Sequence, residues 1–194
     1  MITRIISGIV GIGLSAYVIQ EGGRTFGIAA AVLALLAWIE FTRAFSHRGG
    51  NPTLFTGVLG IAGILYGAFY GQHDFILLSI MAATLLAALS CVLLRGDVSV
   101  PDVGISIAGI CYIGLPFAHL MMLRQLSGNL YTTPIGTFDL GTAMVWVMFI
   151  GTWASDSFAY FAGNAFGSHR LAPAISPNKT IEGFVGGLLG TVGV

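Results

Sequence analysis

Phe75-Ile-Leu-Leu-Ser-Ile-Met-Ala-Ala-Thr-Leu-Leu-Ala-Ala-Leu-Ser-Cys-Val-Leu-Leu94 is a run of twenty residues without a charge, closed by Asp74 before it and Arg95 after it. A helix of that length rises ~30 Å, the thickness of a bilayer's hydrocarbon core. Five further apolar runs flank it: Ile5 to Gln20, Phe26 to Phe41, Thr53 to Gly71, Val103 to Leu123, and Leu140 through Trp153 towards Asp156. None alternates polar with apolar, as barrel strands must. In lipid the remaining way to satisfy every backbone group is the helix. The expected fold is therefore all-α, a polytopic transmembrane helical bundle. Residues 1–194 form one domain of about six full spans and the start of a seventh.

Composition agrees. Of 194 residues 56% are hydrophobic and 8% charged, against ~45–50% and ~25% in soluble domains. Eight Lys and Arg balance eight Asp and Glu, so no net field recruits a polyanion; a disordered chain and a nucleic-acid binder are excluded. Met1-Ile-Thr-Arg4 before an apolar run could pass for a signal peptide. Without a small-x-small cleavage site, and with more spans following, it reads as a retained first helix. Cys91 and Cys111 lie in apolar runs without ligand spacing and behave as small hydrophobes.

Charge asymmetry sets the expected orientation. With the N-terminus inside, Arg4, Arg43, Arg48, Arg95, Arg170 and Lys179 fall on the cytoplasmic side, and only Arg24 and Arg124 on the other. The protein is placed in the cell's inner (plasma) membrane, multi-pass, with the polar stretch Asn164 to Lys179 cytoplasmic. Gly63, Gly67 and Gly71, and later Gly186 and Gly190, recur every four residues, a spacing that lets helices approach closely. No long internal repeat supports an inverted-repeat transporter. Gly183 to Val194 spans only ~18 Å as a helix. A carboxylate stranded in hydrocarbon is costly, so either this segment is re-entrant or the sequence is the front part of a longer protein, and the second reading is preferred.

Two clusters carry chemistry. Asp156 stands alone among the ionisable groups of Leu140 to Phe166 except Tyr160, which shares its face four residues on. An isolated acid near a helix end suits a hard cation such as Mg²⁺ better than zinc, because no His or Cys is placed to join it; the plain alternative is a cap or interfacial acid. In Ser176-Pro177-Asn178-Lys179-Thr180-Ile181-Glu182-Gly183, Ser176 as N-cap and Pro177 at the first helical position predict a helix start. With Lys179 in the first turn, phosphate is the natural ligand. Glu182 would pair with Lys179 or hold a metal near the phosphate. His169 and Arg170 add positive or titratable character upstream.

The block Asp156-Ser-Phe-Ala-Tyr160, then His169-Arg170-Leu171-Ala172-Pro173, then Ser176-Pro177-Asn178-Lys179-Thr180-Ile181-Glu182-Gly183 strongly resembles the phosphatidate cytidylyltransferase (CDP-diacylglycerol synthase) family. The matching block covers about 30 residues; the preceding helices match only as apolar helices. The resemblance implies an enzyme of phospholipid biosynthesis that joins CTP and phosphatidate into CDP-diacylglycerol and pyrophosphate with Mg²⁺. It implies catalytic roles for Asp156 and Lys179, metal binding by Asp156 and Glu182, and substrate binding by Arg170, Ser176, Asn178, Lys179 and Thr180, within the segment 156–183. Phosphatidate is expected to arrive sideways from the bilayer. The family's C-terminal signature, rich in Gly, His, Lys, Arg and Asp, is absent, so these 194 residues are expected to hold an incomplete site, inactive alone. The competing class is a transporter or channel using Asp156 and Glu182 as ion-coupling groups. A related CTP-dependent enzyme of an isoprenoid phosphate lipid would keep the same site. A homo-oligomer is compatible with the sequence.

Overall fold

The computed structural model describes residues 2–94, 97–133 and 136–194, with side chains from Ile6 onward and without that of Thr133. Arg95 and the side chain of Arg4, both used for the expected orientation, lie outside the described residues. Contacts divide the chain into two compact units, the first ending at Asn129 and the second Leu130–Val194.

The first unit holds α1 (Ile2–Glu21), α2 (Gly23–Ser46), α3 (Leu54–Phe69), α4 (His73–Leu93) and α5 (Val100–Arg124). The second holds the hairpin β1 (Tyr131–Thr133) and β2 (Gly136–Phe138), then α6 (Leu140–Phe166), the hairpin β3 (Arg170–Ala172) and β4 (Ser176–Thr180), and α7 (Ile181–Gly193). Helices α2, α4 and α5 are long and apolar enough to cross a membrane. The protein is an all-α membrane protein, as the apolar runs require.

The core of the first unit joins α2, α3, α4 and α5 through Ala34, Trp38, Ile61, Ile64, Ala83, Ile110 and Met121. Trp38 is fully buried, and its indole N–H donates to Leu54 O at 2.9 Å. The outward faces are apolar too: on α4, Leu77, Met81, Leu85, Leu89 and Val92 are all exposed. Apolar inside and out is what a lipid solvent asks for, since lipid tails are as apolar as Leu. Gly63 and Gly67 bring α3 against Ser79 and Ile76 of α4, whereas Gly71 lies past the helix in the turn, at φ +67°. The regular glycine spacing therefore serves packing at two of its three positions.

Polar groups at one end of this unit are mutually satisfied. Ser99 and Asp102 form a capping box at the start of α5, and the buried Asp102 carboxylate also accepts the Asn51 N–H at 2.6 Å. At the opposite end Arg124, the last residue of α5, donates from Nε to Ile19 O at 2.8 Å and from Nη2 to Gln20 O at 3.3 Å. A guanidinium thus caps the C-terminus of α1, where free carbonyls concentrate negative potential. Gly22 makes room for it: its φ of +62° is open to glycine, and a β-carbon there would overlap the guanidinium. Arg124→Ala should cost roughly 1–3 kcal/mol, as expected for bonds to a charged group. The expected result is faster tryptic cleavage after Arg24 in the loosened α1–α2 turn, at unchanged cleavage at the other remaining sites, the one after Arg124 being lost with the substitution; an unchanged rate after Arg24 would refute the capping role.

Candidate active site

The helix start expected at Ser176 lies elsewhere. Residues Ser176 to Thr180 are extended as β4, antiparallel to β3 with Arg170 opposite Thr180 and Ala172 opposite Ser176. Helix α7 begins at Ile181 with Thr180 as N-cap, its Oγ1 accepting the Gly183 N–H at 3.2 Å. Two local signals competed. Ser before Pro is itself biased towards extended backbone, and Pro sits without cost on an edge strand. The β3 pairing holds the segment extended, so the later N-cap starts the helix. Lys179 consequently stands on the strand two residues before the helix, with the positive end of α7 beside it.

Helix α7 then packs its glycines directly onto α6, against its backbone and the side chains of Phe158 and Ala162. Gly183, Gly187 and Gly190 are buried; β-carbons at Gly183 and Gly187 would sit 2.9 and 3.0 Å from the carbonyl oxygens of Ala159 and Ser155. This contact fixes the spacing between Asp156 on α6 and the β4–α7 junction.

The two elements enclose a cavity of about 400 Å³, in which Asp156, Tyr160 and Asn164 of α6 face Asn178, Lys179 and Thr180. Leu171 and Phe184 supply apolar wall. Neither the Asp156 carboxylate nor the Lys179 ammonium has an ion-pair or hydrogen-bond partner among the described residues. Opposite charges on facing walls, both free, make a receptor for a ligand carrying anionic oxygens and a cation.

Of the residues singled out in the sequence, the structure brings Asp156, Asn178, Lys179 and Thr180 to this cavity. Ser176, Arg170 and Glu182 do not line it. Glu182 instead meets His169, whose Nδ1 lies 2.6 Å from Oε1 and whose backbone N–H donates to both carboxylate oxygens at 3.3 Å. This pairing replaces the i,i+3 contact with Lys179 and leaves the lysine free. The His169 side-chain hydrogen bond, joined by backbone N–H groups, holds Glu182 down to about 2. With a folded value below the ordinary 4.5, the stabilisation is complete above that ordinary value and disappears as pH falls towards about 2. Asn164 was not singled out in the sequence. Its signal is periodic: Asp156, Tyr160 and Asn164 recur every four residues on one helix face.

Among the described residues no group of three or more His, Cys, Asp or Glu gathers for a metal. The cavity's donors are hard oxygens: one carboxylate from Asp156, amide oxygens from Asn164 and Asn178, and hydroxyls from Tyr160 and Thr180. That set fits Mg²⁺, which commonly takes one or two carboxylates and completes its shell with water and substrate phosphates. Asp156 would hold the ion. Glu182, turned to His169, is not presented to the same cavity.

An α-helical membrane protein with a charged cavity between a helix pair and a hairpin is the class these features define. Residues 2–194 match the cytidylyltransferase family, and the chain belongs to that family of CTP-dependent nucleotidyltransferases. It is similar to the phosphatidate cytidylyltransferase of Staphylococcus saprophyticus, 28% identical over 97% of this chain and 68% of the relative. Those of Bacillus subtilis, 26% identical over 96% and 66%, and Staphylococcus haemolyticus, 27% over 97% and 68%, are similar too. The chain thus spans about two thirds of the length of these relatives. No solved structure matches the chain.

Proposed function

We propose that the protein transfers the cytidylyl group of CTP to phosphatidate, giving CDP-diacylglycerol and pyrophosphate. The observation that carries this reading is the cavity in which a free Asp156 and a free Lys179 face one another, in a chain of the cytidylyltransferase family. A phosphate oxygen of phosphatidate attacks the α-phosphorus of CTP. The new P–O bond forms as the bond from the α-phosphorus to the oxygen bridging to the β-phosphate breaks, and that oxygen leaves with pyrophosphate. No covalent intermediate on the protein is required.

The protein's contribution is alignment and neutralisation of charge. Lys179 offsets phosphate charge from the strand side, with the positive end of α7 behind it. Asn178 and Asn164 offer amide donors to phosphate or base, and the Thr180 hydroxyl is held in place by its Gly183 contact. Asp156 would hold Mg²⁺, which supplies charge neutralisation on the triphosphate when bound. Asp156 also borders a groove along α6 lined by Val147, Met148, Gly151 and Thr152. Ser155 and Thr191 line it as well, and its apolar side, Val147 and Met148, suits a diacyl substrate, whose chains are costly to pass through water.

The test uses membranes containing a chain that carries residues 1–194 and spans the full length of the relatives, with labelled CTP, Mg²⁺ and either phosphatidate or an isoprenoid phosphate. Lipid-extractable label with phosphatidate supports the reading. Label only with the isoprenoid phosphate, or none with either, overturns it. On this reading the site faces the cytoplasm at the inner membrane, the side from which CTP is supplied. A reporter fused after Arg48 should accordingly be cytoplasmic and one after Gly71 external; the reverse pattern would move the cavity away from its nucleotide.

A further inference from the structure

The first unit carries a second cavity, remote in sequence from Asp156 and Lys179. It is a groove of about 370 Å³ on the outer faces of α2 and α3, with Met121 of α5 at its edge. Arg24 stands at one end, and Ala31, Leu35, Ala62 and Leu65 line its length. Arg24 is exposed and its guanidinium has no ion-pair or hydrogen-bond partner among the described residues. The other arginine at this end, Arg124, is occupied in capping α1.

The dimensions follow a lipid. From Arg24 to Leu35 is eleven positions on one helix, ~16 Å, about half of the ~30 Å hydrocarbon core. That is the depth one acyl chain of one leaflet reaches. The small side chains of Ala31 and Ala62 leave the groove open where larger neighbours would fill it. Tyr66 and Tyr70, ring centroids 4.7 Å apart and each at least half exposed, border the Arg24 end. Tyrosines at that level are characteristic of the membrane–water boundary. A single unpaired cation at the boundary, at the mouth of an apolar trough, is complementary to one amphiphile: a negative head on an apolar tail.

We propose that this groove binds an anionic glycerophospholipid, its phosphate on Arg24 and one acyl chain lying along Ala31, Leu35 and Ala62. This site is independent of cytidylyl transfer and does not rest on the reaction assigned above.

The experiment is native mass spectrometry of the detergent-purified protein, titrated with phosphatidylglycerol or phosphatidylcholine of identical acyl chains. One phosphatidylglycerol should be retained in preference to phosphatidylcholine, by about fivefold for one basic residue near the surface. Arg24→Gln should abolish the preference while leaving weak binding of both lipids. Ala31→Phe should reduce retention of both, and Ala62→Phe, at an exposed position, should do the same without any demand on the core. Leu85→Phe, on the exposed face of α4, should change nothing. Equal retention of the two lipids, a preference that survives Arg24→Gln, or retention untouched by Ala62→Phe would each overturn the proposal.

Discussion

Asp156→Asn should lower cytidylyl transfer by about 10²- to 10³-fold, the loss typical of removing one electrostatic contact to a reacting phosphate or acyl group. The change keeps the side chain's size and removes its charge. Asp156 is exposed in the cavity and carries no hydrogen bond among the described residues, so nothing in the packing of α6 against α7 depends on it. Folded yield, read as the monodisperse fraction after detergent extraction, should stay near that of the parent protein. Raising Mg²⁺ should restore part of the activity, because weaker holding of a cation is offset by mass action. Normal transfer by the asparagine variant at low Mg²⁺ would reduce Asp156 to an ordinary interfacial acid.

The largest effect on stability is expected at a residue with no side chain. A β-carbon at Gly57 would overlap the indole of Trp38, which is fully buried between Gly57 of α3 and Gly109 of α5. Gly57→Ala must therefore push the indole aside or spread α2 from α3, and either breaks its hydrogen bond to Leu54 O. The expected cost is about 3 kcal/mol, from overpacking together with the lost bond. It should appear as a clear fall in thermal midpoint or in resistance to SDS. Gly104→Ala, in α5 with open space around it, is the comparison: there alanine should be neutral or stabilising by up to about 1 kcal/mol through helix propensity. Equal outcomes at the two positions would mean that the Trp38 contact is not tight.

What could be read from the sequence was what depends on neighbours in the chain. Charge-free runs gave the helices, because length and apolar character are local properties that a bilayer converts directly into spans. Asp156 and Lys179 stood out because charge is rare in this chain. The β3–β4 hairpin was not legible: Ser176-Pro177 satisfies the rules for a helix start as well as those for an extended edge, and pairing with Arg170–Ala172 decided between them. The partner of Glu182 was misplaced for a similar reason. Helical spacing points to Lys179, but once the segment is extended, His169 thirteen residues away is the nearer group. Arg124 looked like a topology marker only. Its contact with Ile19 spans 105 positions, and no local pattern announces it.

That contact bears on the order in which the protein is made. The carbonyls of Ile19 and Gln20 leave the ribosome long before the guanidinium that donates to them. At 5–20 residues per second, about 5–20 s separate the two. Through that interval the end of α1 must stay at the water-exposed boundary, since bare carbonyls in hydrocarbon are costly. Helices α2 to α4 are all synthesised within that interval. Helix α1 thus gains this cap only once the final residue of α5 has been made.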